Sequence, residues 1–562
     1  MGGDPFRPSL TGRHFFYLFL FALAAFSPVL FRGGYVYDDV VVIAQNGLLR
    51  SFSGLAQIWK GHVDPEHVMD GTFRPLLLSI FSLIGRLSDF SPVAFRVSTL
   101  LLHVANAWLL AVLAQRIFRL SVISALGAAT LFLLHPIQTT SFGLVWKQSD
   151  LWIALAALVS IRVYLTHPLL ALFPFLLAFG FKESAMGIPL LWLSIEPLLS
   201  SEKRRSRLAV MGVGILASAT YYLSVLPQLP KEPDESGVPL ARVEYFLTEL
   251  PVLGLYLKAI LNPYLLTIDR RVIAVSPAPV WGFGLILMMG AGWILAHAAA
   301  FRRASKELAA FLLGLAWLIP TSTLQPLSLL YDETRCYLGM GALGILLACL
   351  AERIPRRVRP SPRVAWFCLF AFAFLLSSFT LFESTRWSSE SALWSATLEV
   401  DPHSPRAHYH LGLAAQKARA PRLAEEHYRE ALAYSPGWHA ARLGLGITLG
   451  QEGKLDEAED VFQDMTSLPP AWAALGHYHL GLGRMYRHDF QGAAEQFRRA
   501  NDMDPRTLPG AKGMAILLAR RGRRAEALEA WDRYIHAPQR SREERADLPR
   551  EIRRLFAVQN KR

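Results

Sequence analysis

The residues best able to do chemistry in this chain sit at the edges of its apolar runs. Tyr37-Asp38-Asp39 follows the first run directly, and two adjacent carboxylates at a membrane surface cost desolvation unless something pairs or uses them. His135-Pro136 closes a later run, Lys147 and Asp150 flank the start of the next, and Lys182-Glu183 lies between two short ones. Tyr331-Asp332-Glu333-Thr334-Arg335, with Tyr337, opens another. In such a set a carboxylate can act as a general base, and the planar guanidinium of Arg335 can hold a phosphate. The plainer reading is of solvated turns, helix-end charges and snorkelling anchors, with Arg335 in a local ion pair to Glu333 or Asp332. Three span junctions facing one long acidic loop from the same side of a membrane favour the chemical reading.

That placement depends on the elements around it. The chain has 562 residues, 52% of them hydrophobic, and a mean hydropathy of +0.27, which is too oily for a water-soluble protein of this length. Apolar stretches approach or reach the roughly 20 residues that cross a bilayer. The expected spans are 14–32, 96–116, 121–135, 149–166, 169–181, 184–200, 207–226, 278–300, 307–326, 335–351 and 363–383, about eleven in all. The formal charge of +13 is not gathered on one soluble face, as nucleic-acid binding would require, but lies largely in short loops. With Arg7 and Arg13 in the cytoplasm, the basic groups at Arg116/Arg119, 203–207, 302–306 and 353–363 all fall on the cytoplasmic side. This register leaves 250–266 on the outer surface or re-entrant, and places the long first loop (33–95), His135, Lys182, Tyr331 and the C-terminal domain outside. The three cysteines form no disulfide or metal-ligand spacing. The first apolar run reads as a retained span, because its one cleavage-like triplet, Ala22-Leu23-Ala24, lies inside the run.

After Trp387 the chain repeats with a period near 34. Asp401-Pro402, Ser435-Pro436, Pro469-Pro470 and Asp504-Pro505 close successive units, and Gly412, Gly446 and Gly481 recur in the first helix. Ala424, Ala458, Ala493 and Ala527 recur in the second, followed by Tyr428, Phe462, Phe497 and Trp531. Small residues let two helices approach, the aromatic fills the gap to the next unit, and proline stops the helix. The pattern resembles tetratricopeptide repeats, whose extended surface suits a partner or acceptor protein, or serves as a packing scaffold. The expected architecture is all-α: residues 1–385 as a polytopic transmembrane bundle, 386–540 as a repeat solenoid, and 541–562 as a basic tail.

Taken in order, Tyr37-Asp38-Asp39 with Asn46, Phe73-Arg74-Pro75-Leu76, His103 with Asn106, Leu134-His135-Pro136-Ile137-Gln138, Lys182-Glu183, the Glu333/Arg335/Tyr337 cluster and Arg386-Trp387 with Leu393-Trp394 resemble a known family. It is the GT-C superfamily of multi-span glycosyltransferases, and within it the transmembrane and tetratricopeptide-repeat O-mannosyltransferases. The resemblance implies a lipid-phosphate-linked sugar donor bound from the non-cytoplasmic leaflet. It implies Asp38 or Asp39 as the base, Lys182, Arg335, His135 and Lys147 around the lipid phosphate, and Glu183, Arg74, Glu333 and Tyr337 in support. The departing group is already a phosphate, so neither metal nor cofactor is expected. Thr139-Thr140-Ser141-Phe142 and Trp146-Lys147-Gln148-Ser149-Asp150 depart from the family pattern, which leaves sugar and acceptor open. Two other classes stay open: a non-catalytic membrane scaffold presenting the repeats, and an oligosaccharide ligase or polymerase. Arginine-rich composition and the lack of a retention tail point to a prokaryotic cytoplasmic membrane.

Overall fold

Helix signals in the sequence set where each element begins and ends. In the computed structural model, which describes residues 10–61, 74–224, 242–270, 305–321, 330–355, 357–505, 507–536 and a few positions between 272 and 299, the described residues are helical and contain no strand. Proline occupies the first turn of Pro92–Phe118 and Pro362–Thr385, where its missing N–H costs nothing, and Ser121 caps Val122–Leu134 by accepting from the Ser124 amide. Pro136 cannot continue that last helix and disfavours helical backbone at His135, so the chain bends by 49° into the short segment ending at Gly143.

Four helical stretches among the described residues are long and apolar enough to cross a membrane: Gly12–Arg32, Pro92–Phe118, Glu333–Ala351 and Pro362–Ser388. The bent pair Val122–Leu134 and Pro136–Gly143 is a fifth if taken as one span. The expected spans at 149–166, 169–181, 184–200 and 307–326 appear as shorter helices, Gln148–Tyr164, Leu172–Ala178, Ile188–Ile195 and Lys306–Ile319. The span expected at 207–226 begins earlier, in the 21-residue helix Arg204–Ser224, and most of the span expected at 278–300 lies outside the described residues, as does the 541–562 tail. The stretch 250–266 belongs to a helix, Arg242–Leu261, followed by a turn at Pro263–Leu265.

The first outer loop is not a loop over much of its length. Its apolar residues build Gly47–Arg50, Phe52–Ile58 and Pro75–Ser88, and Leu49, Ile58, Leu77 and Phe81 are buried in the main core.

The chain divides into two compact units, the first running to Val400 and the second from Asp401. The helix Glu390–Val400 belongs to the first unit because Leu393 joins its core and Trp394 packs edge-on against Tyr37. The second unit contains four helix pairs running from Pro405–Lys417 to Arg524–Ile535. Its repeats close on the expected residues: a Cβ at Gly412 would stand 2.7 Å from the Tyr428 ring, one at Gly446 2.6 Å from Phe462, and one at Gly481 2.5 Å from Phe497. Gly444 and Gly513, in the following units, press on the same Tyr428 and Phe497 rings. Each of these two aromatics therefore locks its own unit to the next.

Candidate functional site

Asp38 and Asp39 are neighbours in sequence with different surroundings. Tyr37 takes left-handed backbone (φ 50°), unusual for a non-glycine residue, and the turn it makes sends Asp39 inward. Asp39 is fully buried, and its two oxygens accept the Val145 and Trp146 amides, both at 2.8 Å. Burial pushes its carboxyl up to about 7, against the downward pull of those two donors and of Arg96. Asp39 thus fastens the 37–39 turn to the segment carrying Lys147. Asp38 is half-buried and lies within electrostatic reach of Lys147.

Around Asp38 the charges alternate. Lys147 donates to Asp332 Oδ2 at 2.5 Å, while Asp332 Oδ1 accepts the Thr334 amide and hydroxyl at 3.0 and 2.7 Å. Burial alone would raise Asp332, but Lys147, Arg335 and Lys182 outweigh it and hold the carboxyl well below the usual range. Burial alone would lower Lys147, but Asp332, Asp150 and Asp38 outweigh it and raise the ammonium. Lys182 donates to both oxygens of Asp150, at 2.8 and 3.0 Å. Among the described residues Arg74, also buried, makes a loose approach of 3.7 Å to Glu183, and its guanidinium lies 4.6 Å above the Trp146 ring.

Four expected phosphate or support residues have other duties. Arg335 pairs with neither Glu333 nor Asp332 at close range: its Nη1 donates to Glu249 at 2.7 Å and to the Leu330 carbonyl at 3.1 Å, with both side chains buried. His135 uses both ring nitrogens on backbone, Nε2 donating to the Ile260 carbonyl (3.0 Å) and Nδ1 accepting the Ile137 amide (3.2 Å). Glu333 is saturated by the Thr267 amide, the Tyr331 hydroxyl and the Thr140 hydroxyl at 2.8, 3.0 and 2.8 Å. Tyr337 ties spans together, its hydroxyl donating to His103 Nδ1 at 2.6 Å and accepting from Asn106 at 3.2 Å, while His103 Nε2 donates to the Leu133 carbonyl.

Arg96, Glu249 and Gln148 escape a reading of the sequence. Arg96 is fully buried and donates to the Gly33 and Gly34 carbonyls, pinning the chain just ahead of Asp38. Its signal was an arginine one turn into an apolar helix, an expense that membranes tolerate only with partners. Gln148 donates to the Phe95 carbonyl at 2.9 Å and to the Thr99 hydroxyl at 2.8 Å, fixing Lys147 from behind. Among the described residues no group of three or more histidine, cysteine, aspartate or glutamate side chains is placed to hold a metal ion.

No family model matches the chain. It is similar to the protein O-mannosyl-transferase Tmtc1 of Drosophila melanogaster, 26% identical over 142 residues, a match spanning 25% of this chain and 16% of that relative. Among solved structures, similarity extends to ArnT from Cupriavidus metallidurans bound to undecaprenyl phosphate (16% identity, 82% of this chain and 81% of that one, TM-score 0.35). It also extends to Pseudomonas aeruginosa PilF (23% identity, 30% of this chain and 76% of that one, TM-score 0.25).

Proposed function

We propose that this chain is a membrane glycosyltransferase that moves a sugar from a polyprenyl-phosphate-linked donor to a protein or glycan acceptor on the extracytoplasmic face. The observation that carries the reading is half-buried Asp38 set beside Lys147 in a shell of buried, alternating charges. Asp38 takes the proton of the acceptor hydroxyl, the oxygen bonds to the anomeric carbon, and the carbon–oxygen bond to phosphate breaks. Polyprenyl phosphate leaves with that electron pair. Lys147 and Lys182 each have three N–H donors, so each keeps its aspartate and still donates to the phosphate, and Arg74 is the guanidinium least committed elsewhere. Asp39, Arg335, His135, Glu333 and Tyr337 position these groups. The loop-charge register supports a topology with the repeats on the extracytoplasmic side, where their surface would offer an acceptor protein a docking face.

A second reading, a membrane-anchored repeat scaffold without catalysis, draws on the fact that Lys147, Lys182 and Arg335 each already hold a carboxylate. Reconstitution of the full chain in liposomes with radiolabelled polyprenyl-phospho-hexose and membrane-protein extract separates them. Label transfer that disappears in Asp38→Asn supports the enzyme, and no transfer with any donor supports the scaffold. Product mass separates transfer of one sugar from that of a longer glycan.

A further inference from the structure

The helix Pro75–Ser88 is apolar on two opposite faces. One, with Leu77, Leu78, Phe81 and Gly85, is buried against the rest of the first unit. On the other, Leu76, Ile80, Leu83 and Leu87 recur at helical spacing, and Leu83 is 61% and Leu87 81% exposed. A helix with a core on one side and water on the other carries polar residues toward the water. This stripe therefore asks for a second apolar medium. At 14 residues the helix is too short to cross a bilayer and supply that medium as a span.

Two observations say what the medium is. First, the stripe continues the apolar surface of the bundle. The Leu76 amide donates to the Gly180 carbonyl at 3.0 Å, a Cβ at Gly180 would stand 2.6 Å from the Leu76 side chain, and the helix Leu172–Ala178 just before it exposes Phe173 and Leu176. At its other end the helix is followed by Phe90, whose carbonyl accepts the Tyr35 hydroxyl at 2.9 Å just after the first long helix, and then by the long helix Pro92–Phe118. The stripe thus lies at the level of span ends. Second, its flank has the composition of a headgroup layer. Trp59, 54% exposed, donates to the Ser79 hydroxyl at 3.2 Å. The Arg86 guanidinium lies 4.2 Å from the centre of the exposed Phe52 ring and makes no ion pair or hydrogen bond among the described residues. Arg50 lies 4.1 Å from the Phe90 ring and gives one donor to the Ala44 carbonyl. Tryptophan settles at headgroup depth, and guanidinium pairs with phosphate oxygens. A protein partner would account for the leucines but not for their continuity with a lipid-facing surface.

We propose that Pro75–Ser88, with Phe52 and Trp59 beside it, lies on the bilayer leaflet that faces Asp38 and Lys182, its leucines on the acyl chains and Arg86 on the phosphate of an anionic phospholipid. The proposal rests on the chain being a membrane protein and not on sugar transfer. It also sets a depth. Arg74 directly precedes this helix and Lys182 comes two residues after Gly180, so the leaflet that seats the helix holds both cations near its headgroups.

The test uses the full chain carrying Cys368→Ser, in liposomes of phosphatidylcholine and phosphatidylglycerol; Cys336 and Cys349 are buried and stay unlabelled. A nitroxide is attached at Leu83→Cys or Leu87→Cys, with Phe374→Cys on the last long helix as the lipid reference and Asp502→Cys in the repeats as the water reference. Both leucines face away from the core, so their variants keep the fold. Labels at 83 and 87 are expected to collide with oxygen in preference to a water-soluble nickel chelate, as the label at 374 does, whereas the label at 502 shows the reverse. Phosphatidylglycerol binding, counted by native mass spectrometry, should be about fivefold weaker in Arg86→Gln, and Arg86→Lys, which keeps the charge, should lose less. Labels at 83 and 87 that behave like the one at 502 overturn the proposal. So do labels shielded from both agents, which would mean that a second copy covers the face. Equal phosphatidylglycerol binding in wild type and Arg86→Gln overturns the phosphate contact, and a fall in undecaprenyl phosphate binding alone would give Arg86 to the donor instead. Lipid-like labels in a chain that transfers no sugar would leave the surface standing and remove the transferase reading alone.

Discussion

Breaking the Lys147–Asp332 pair tests whether the alternating charges are a coupled unit. The two charged atoms are 2.5 Å apart and both side chains are nearly buried, at 14% and 12% exposed. At that separation and an effective dielectric constant of about 20, the gross attraction is roughly 6–7 kcal/mol. Desolvation of both ions offsets much of this, so the consequence shows on removing one partner, which costs about 3–5 kcal/mol. Asp332→Asn is the cleaner break, because the amide oxygen can still accept from Thr334 while the amide nitrogen is turned toward the Lys147 ammonium. Lys147→Met leaves a buried anion supported only by Thr334 and the more distant cations. Full-length chains would be unfolded in mixed micelles at rising SDS fraction. The single variants are each expected to lose about 3–5 kcal/mol, and the double variant to lose less than their sum by about 2–3 kcal/mol. The pair's contribution, set by the depressed Asp332 carboxyl, is present above its unfolded pKa of about 3.9 and is lost as pH falls through the lower folded value. Binding of undecaprenyl phosphate should strengthen in Asp332→Asn, which releases Lys147, and weaken in Lys147→Met. Additivity within about 0.5 kcal/mol, or equal weakening of phosphate binding by both variants, would refute the reasoning.

Asp39→Asn should show a stability difference from wild type that moves in the variant's favour as pH rises. The buried native carboxyl, at about 7, lies above its ordinary value, so wild type is penalised progressively between about 4 and 7, whereas the amide does not ionise. At pH 4 the variant should be the weaker, since its amide offers one acceptor to the two amides of Val145 and Trp146; a flat difference across this window contradicts the burial argument. Tyr428→Ala should cost the repeat unit about 3–5 kcal/mol, because its ring fills the space between Gly412 and Gly444. Hydrogen exchange over residues 405–452 of the intact chain measures this, and a loss under about 1 kcal/mol would show that the aromatic does not lock neighbouring repeats.

The repeats were legible because their signal is local: glycine, alanine and an aromatic recur at fixed offsets, and Gly412 meets Tyr428 only 16 positions away. The spans at 14–32, 96–116, 335–351 and 363–383 were legible because length and apolarity alone define them. The helices within 33–95 were not, since short apolar segments between polar turns resemble a loop until a core forms to receive Leu49, Leu77 and Phe81. The candidate site was legible as a set of residues but not as a set of partners. Lys147 finds Asp332 at a separation of 185 residues and Arg335 finds Glu249 at 86, and no spacing rule reaches that far. Nor could adjacency separate Asp38 from Asp39; the left-handed turn at Tyr37 and the two amides of the 145–147 segment do that.

The central claim is that Asp38 is the base of a sugar transfer, and the most direct measurement is the mass of extracytoplasmic proteins from cells carrying wild type, Asp38→Asn or Asp39→Asn at equal membrane abundance. The account predicts that a hexose-sized increment present with wild type disappears with Asp38→Asn, a fall of about 10²- to 10⁴-fold in transfer, while purified Asp38→Asn keeps wild-type stability. Unchanged masses in Asp38→Asn and in a strain lacking the chain would contradict it.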